Sequence, residues 1–95
     1  MTESQIEVCR RAVRAFGIPI QSTIAIEECA ELIKAITKFK RAQFFNQDDE
    51  EEIEALREEI ADVEVVIIQL RFMFGEGCID KIRDAKIQRL DAMLP

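Results

Sequence analysis

The chain has 95 residues, enough for one small domain over residues 1–95, and its 19 acidic and 13 basic side chains give a formal net charge of −6. This charge disfavours nucleic-acid binding, which usually needs a basic surface. The longest apolar run, residues 65–70, is too short to cross a membrane. Histidine is absent, so any metal or acid–base chemistry falls to carboxylates.

The three cysteines, Cys9, Cys29 and Cys78, are widely spaced and contain no CxxC pair. The N-terminus is polar and has no signal-peptide pattern. Both features predict free thiols in a cytoplasmic protein.

The fold class is predicted to be all-α, because glycine and proline are few and the apolar residues recur every three or four positions. The first helix is capped by Thr2 or Ser4 and runs to about Phe16, where Gly17 and Pro19 end it. The second begins near residues 22–23 or a little earlier, with carboxylates on the rim of its apolar stripe.

The third predicted helix begins in the acidic run 48–52, with Asn46 or Asp48 as its N-cap, and continues to Phe74. We interpret the acidic run as favouring the helix dipole and solubility, with a peripheral cation site as the weaker alternative. Along this helix an apolar seam repeats at spacings of three and four; it comprises Ile53, Leu56, Ile60, Val63, Ile67, Leu70 and Phe74. A parallel line carries two acids among neutral or apolar residues; it comprises Ala55, Glu59, Asp62, Val66, Gln69 and Met73.

Gly75 and Gly77 are expected to end the third helix, and a fourth runs from about Ile79 to Met93 with Lys86 on its apolar line. From residue 63 to residue 74 the third helix is apolar almost all round. Such a helix must be covered on every side, which three short helices cannot easily do. The sequence therefore predicts a homo-oligomer.

Two pairs of acids carry the functional prediction: Glu28 with Glu31, and Glu59 with Asp62. A spacing of three residues places both members of a pair on one face of a helix. If the second and third helices pack antiparallel, the pairs can meet, and they then need divalent cations or protons to offset their repulsion. Oxygen ligands suit Mg²⁺ first and Mn²⁺ second.

The segments EECAEL (residues 27–32) and EIADV (residues 59–63) read as EExxEL followed by ExxDV. This two-part motif resembles that of the MazG-like nucleoside triphosphate pyrophosphohydrolases, members of the all-α NTP pyrophosphatase superfamily. The resemblance covers about residues 17–90. It implies a four-helix protomer that assembles into a helical-bundle dimer or tetramer and hydrolyses a nucleoside triphosphate to the monophosphate and pyrophosphate with Mg²⁺.

The resemblance also implies roles for individual residues. The catalytic metal ligands would be Glu28, Glu31, Glu59 and Asp62, and the supporting acids would be Glu27 and Glu58. Lys86 is the first candidate for phosphate binding, followed by Arg89 and Lys81, with ordinary surface residues as the alternative. Gln21 and Phe16 are candidates for base binding, although Phe16 suits core packing as well.

Two other functions fit the same residues. The first alternative is an acidic helical interaction module whose apolar third helix docks a partner. The second is an inactive relative that binds nucleotide without hydrolysis. The preferred base and sugar, the number of metal ions and the biological role are left open by the sequence.

Overall fold

The computed structural model describes all residues, 1–95, and is all-α, as the sequence predicts. It contains three helices: α1 (Glu3–Phe44), α2 (Glu50–Phe74) and α3 (Glu76–Met93). None of the three combines the length and the apolar composition that crossing a bilayer requires.

The start of α1 is fixed by a capping box. The Thr2 hydroxyl accepts a hydrogen bond from the Gln5 backbone N–H at 3.2 Å, and the Gln5 side chain accepts one from the Thr2 backbone N–H at 2.8 Å. Two otherwise unpaired donors are satisfied reciprocally. Of the two predicted caps, Thr2 is therefore the one used.

The chain bends within α1 at Gly17, whose φ of 82° and ψ of 162° are accessible almost only to glycine. The helix resumes immediately after Gly17. The Thr23 hydroxyl donates a hydrogen bond at 3.1 Å to the Pro19 carbonyl, which lies one helical turn earlier. The first two predicted helices are thus one kinked helix, and the structure has three helices where the sequence predicts four. Of the two predicted starts, residues 22–23 are too late, and the alternative of a slightly earlier start agrees with helix that resumes after Gly17.

Both halves of α1 pack against α2. Before the kink, Cys9 shares a cavity wall with Val65, and the Arg14 guanidinium lies 5.2 Å from the centre of the Phe72 ring further along α2. The first half of α1 therefore lies against the C-terminal half of α2.

After the kink, α1 runs antiparallel to α2. Gln21 lines a cavity with Gln69 near the C-terminal end of α2, whereas Lys38 lines one with Glu51 near its N-terminal end. This half of α1 and α2 form an antiparallel pair joined by the short turn 45–49, as expected for a short connection. Asp48 supports the entry to α2 by accepting the Glu50 N–H at 3.2 Å.

Helix α3 begins at Glu76, immediately after Gly75, whose φ of 106° ends α2. The predicted break at Gly77 is wrong, because this residue already lies inside α3. An ion pair between Arg10 and Glu76 at 3.0 Å joins α3 to the first half of α1. Four apolar side chains of α3 are expected to face inward. Ile79 is half-buried, but the other three are more than half exposed: Ile82, Leu90 and Met93.

The core of the single chain is thin. Only 8 of 95 residues are buried, and no large side chain is fully enclosed. The accessible surface is 7325 Å², against roughly 5,600 Å² for a compact monomer of this mass. The radius of gyration is 16.3 Å, against about 12.4 Å for a compact domain of this length.

The apolar seam of α2 is only partly covered by its own chain. Ile60, Ile67 and Phe74 on that seam are 46%, 42% and 64% exposed. The buried residues of α2 are Val66 and Gln69, both on the acid-bearing line. Within one chain, α1 therefore packs against the line that carries the acids, and the more apolar seam is left partly open.

Gly17→Ala is expected to destabilise the fold by about 1–3 kcal/mol, because a Cβ is strained at this φ and ψ even though no neighbouring atom blocks it. The matched control is Gly77→Ala, which has open space around it and lies in helix α3. This control should be stabilising by about 0.5–1 kcal/mol. Urea unfolding at fixed protein concentration measures both changes, and equal effects of the two substitutions would contradict the assignment of a strained kink.

Candidate functional site

Three carboxylates from two helices meet where the second half of α1 packs on α2. Oxygens of Glu28 on α1 and of Glu59 and Asp62 on α2 lie within 4.8 Å of one another. The three-residue spacing puts Glu59 and Asp62 on one face of α2, and antiparallel packing brings Glu28 opposite them. Glu28 and Glu59 are half-buried, and Asp62 is exposed.

Glu31, the fourth predicted ligand, lies at the margin of this cluster. It is exposed and is not among the three carboxylates that converge, yet its negative charge helps to raise the pKa of both Glu28 and Glu59. The supporting acids Glu27 and Glu58 are exposed, and the charge of Glu58 also raises the pKa of Glu59. Glu31 and Glu58 therefore lie near the three central acids, whereas Glu27 is exposed and contributes to neither raised pKa.

Burial and like charge both disfavour ionisation at the centre. Desolvation is the largest cause of the raised pKa of Glu28, followed by the charges of Asp62 and Glu59. Desolvation likewise raises the pKa of Glu59, with the charges of Asp62 and Glu31 next. The folded chain alone thus holds protons at this point more tightly than the unfolded chain does.

No basic side chain of the same chain neutralises the cluster. The ion pairs all involve other acids, namely Glu3, Glu7, Glu54, Glu76, Asp80 and Asp84. Oε2 of Glu59 is shielded from water and has no hydrogen-bond partner. A buried carboxylate oxygen without a partner is costly, so this atom favours a bound cation or a proton.

The cluster has the donor set that a hard divalent cation requires. All three groups are carboxylates, which Mg²⁺ and Mn²⁺ prefer. Adjacent oxygens around Mg²⁺ are about 2.9 Å apart and opposite ones about 4.2 Å, so the side chains would need to approach one another by up to about 2 Å. Glu28, Glu59 and Asp62 fit such an ion, with Glu31 available beside them.

The cluster opens into a cavity of about 290 Å³ at the kink of α1. Both predicted base-binding residues line it, as do two of the acids; its walls are Ala12, Phe16, Gln21, Ile24, Glu28, Asp62, Val65, Val66 and Gln69. Phe16 and Gln21 would point to different sides of a straight helix, because five residues correspond to about 140° of rotation. The turn at Gly17 brings them to one cavity.

Gln69 also lines this cavity, and no role was predicted for it from the sequence. It is 9% exposed and lies two turns after Asp62 on the acid-bearing line. A neutral polar residue within the nearly apolar stretch 63–74 is the signal that points to it.

The predicted phosphate-binding residues lie apart from the cavity within one chain. Lys81, Lys86 and Arg89 are exposed on α3, and none of them lines the cavity that contains Glu28 and Asp62. A single copy of the chain therefore places two acids and two amides at the cavity but no basic side chain.

Comparison of the chain with family models, with curated proteins and with solved structures finds no match.

Without divalent cations, Glu59→Gln is expected to raise the free energy of unfolding near pH 8. The raised pKa of Glu59 means that the folded state binds the proton more tightly, so wild-type stability falls as pH rises through the window above about 4.5. The variant has no charge at this position and does not lose this stability. The difference in free energy of unfolding between the variant and wild type should therefore vanish as pH falls below about 4.5. Urea unfolding in a chelator at several pH values measures the difference.

Glu54→Gln is the control, because Glu54 is an exposed acid of the same helix that pairs only with Arg57. It should give no gain in stability near pH 8. A gain for Glu59→Gln that is independent of pH, or absent, would contradict the crowded carboxylate cluster.

Proposed function

We propose that the chain is a nucleoside triphosphate pyrophosphohydrolase that requires Mg²⁺ or Mn²⁺ and releases pyrophosphate from its substrate. The observation that supports this most is the convergence of Glu28, Glu59 and Asp62 within 4.8 Å, with no cation from the chain beside them. The EExxEL and ExxDV motifs, which resemble those of the MazG-like enzymes, lie on the two helices that form this cluster.

The position of each acid in the cluster decides its proposed role. Glu28, Glu59 and Asp62 would hold the metal, and Glu31 would complete the set from the margin. When bound, the ion supplies the positive charge that joins these acids to the anionic triphosphate and promotes ionisation of the attacking water. Glu27 and Glu31 are exposed at the edge, where either can accept a proton from that water.

Positive charge for the leaving pyrophosphate would come from α3. Lys86, Arg89 and Lys81 remain the candidates, since all three are exposed and form no ion pair within the chain. We propose that assembly of copies brings these side chains towards the cluster, because α3 packs on its own chain mainly through Arg10–Glu76 and Arg71–Asp80.

The assembly is proposed to be a homodimer or homotetramer. The chain exposes roughly 1,700 Å² more than a compact monomer of its mass, about twice what one partner buries in an interface of standard size. The exposed α2 seam supplies an apolar face for it, including Ile60, Ile67 and Phe74.

The exposed seam also supports a second candidate function, an acidic helical module that docks another protein through α2. This candidate explains the apolar surface and leaves the crowded acids without a purpose. A nucleotide-binding relative without hydrolysis is the third possibility, and it keeps the acids but forms no product.

Wild-type protein is expected to release pyrophosphate from at least one member of a panel of ribo- and deoxyribonucleoside triphosphates, and only with Mg²⁺ or Mn²⁺ present. Glu59→Gln should lower turnover by at least about 100-fold while helicity and oligomeric state are unchanged. Glu54→Gln, which removes an exposed acid elsewhere on α2, should retain wild-type turnover.

Coupled detection of pyrophosphate measures these rates. No release from any nucleotide with either metal would overturn the enzymatic proposal. Metal-dependent binding without product would then favour the inactive relative, and absence of binding would favour the docking module.

Sedimentation equilibrium at micromolar concentration is expected to give a multiple of the 10.9 kDa chain mass. Ile67→Asp places a charge on the exposed seam and should shift the population to monomer, because burying an unpaired carboxylate in an interface is costly. Lys40→Glu changes charge at an exposed position at the far end of α1 and should leave assembly intact. A folded wild-type monomer would refute the proposed assembly.

A further inference from the structure

Two glutamines are the most deeply buried polar side chains of the molecule. Gln21 on α1 is 3% exposed and Gln69 on α2 is 9% exposed, and they are the only polar residues among the eight that are buried. Burying a carboxamide without a hydrogen-bond partner costs about 1–3 kcal/mol. Leucine would fill the position of Gln21 without this cost, so packing alone does not explain that amide.

The Gln21 carboxamide has no partner for its oxygen. Oε1 is shielded from water and accepts no hydrogen bond within the chain. Gln21 lines the cavity of about 290 Å³ at the kink, and Gln69 lines the same cavity from the opposite helix. An unpaired acceptor that is nearly excluded from water, on the wall of an open cavity, points to a ligand that brings an N–H or O–H donor.

The rest of the cavity separates into two regions of different chemistry. One part is apolar, with Ile24, Val65 and Val66 and the half-exposed ring of Phe16. The other part contains Glu28 and Asp62 of the acidic cluster. A ligand that fits both regions has a flat, partly apolar group with hydrogen-bonding atoms at its edge, joined to an anionic group that needs a metal.

We propose that Gln69, together with Gln21, forms a carboxamide clamp that binds the edge of the nucleobase of the substrate. Each carboxamide offers one acceptor and two donors, so a pair of them matches an edge on which donors and acceptors alternate. The clamp gives the enzyme its dependence on the base, and Phe16 covers the ring face. The inference rests on the proposed function for the identity of the anionic group but concerns a separate part of the cavity.

The clamp is tested first by nuclear magnetic resonance on ¹⁵N-labelled protein without metal. Nucleosides lack the phosphates that need a metal, so their binding does not depend on a bound ion. At least one of the common nucleosides at millimolar concentration should shift the side-chain NH₂ signals of both Gln21 and Gln69. The NH₂ signal of Gln88, an exposed glutamine on α3, should not move.

Substitution then separates recognition of the base from folding. Gln69→Leu should weaken binding of that nucleoside by at least about tenfold, as expected for the loss of a buried hydrogen bond. Its urea midpoint should equal or exceed that of wild type, because a buried amide is removed. Gln88→Leu should leave nucleoside affinity unchanged.

Turnover provides the second test. Gln69→Leu should raise KM for the preferred nucleoside triphosphate by at least about tenfold and leave the rate with deoxyribose 5-triphosphate, which has no base, at the wild-type value. Absence of shifts at both glutamines with every nucleoside would overturn the clamp even if pyrophosphate is released. Shifts at both glutamines without any pyrophosphate release would support the clamp and reject the hydrolase.

Discussion

Repulsion among Glu28, Glu59 and Asp62 is the constraint on which the rest of the structure depends. Their oxygens lie within 4.8 Å, and the partial burial of Glu28 and Glu59 removes some of the water that would screen them. The chain nevertheless packs α1 on exactly this acid-bearing line of α2 and leaves a more apolar seam of the same helix partly open. This arrangement costs stability in the isolated chain. It is explained if the acids bind a metal ion and the apolar seam is covered by a second copy of the chain.

The kink at Gly17 links that constraint to the proposed recognition of a base. It changes the direction of α1, so that Phe16 and Gln21 lie on the cavity that leads to the acids. The proposed metal site and the proposed base site would then lie at two ends of one cavity, with the acids at one end and the carboxamides at the other. The two ends meet along α2, where Asp62 and Gln69 stand two turns apart on the same line.

Local signals in the sequence predicted local structure well. Thr2 caps α1, Gly17 takes a positive φ, and the spacing of Glu59 and Asp62 puts them on one face of α2 opposite Glu28. Helix rotation decides which acids converge, so the marginal position of Glu31 was not predictable from spacing. Periodicity identified the seam as a buried stripe, but it cannot tell a surface covered by the same chain from one that needs a second copy. The proposed role of Gln69 could not be predicted from the sequence, because a single amide in an apolar stretch is common in helices without any function.

Anomalous diffraction from crystals grown with Mn²⁺ is the direct test of metal binding by the acidic cluster, because it locates the ion without relying on turnover. An anomalous peak is expected in contact with carboxylate oxygens of Glu28, Glu59 and Asp62, and no such peak is expected in crystals of Glu59→Gln. Well-ordered wild-type crystals with Mn²⁺ bound only elsewhere, or with the three carboxylates paired to basic side chains of a second copy, would contradict it.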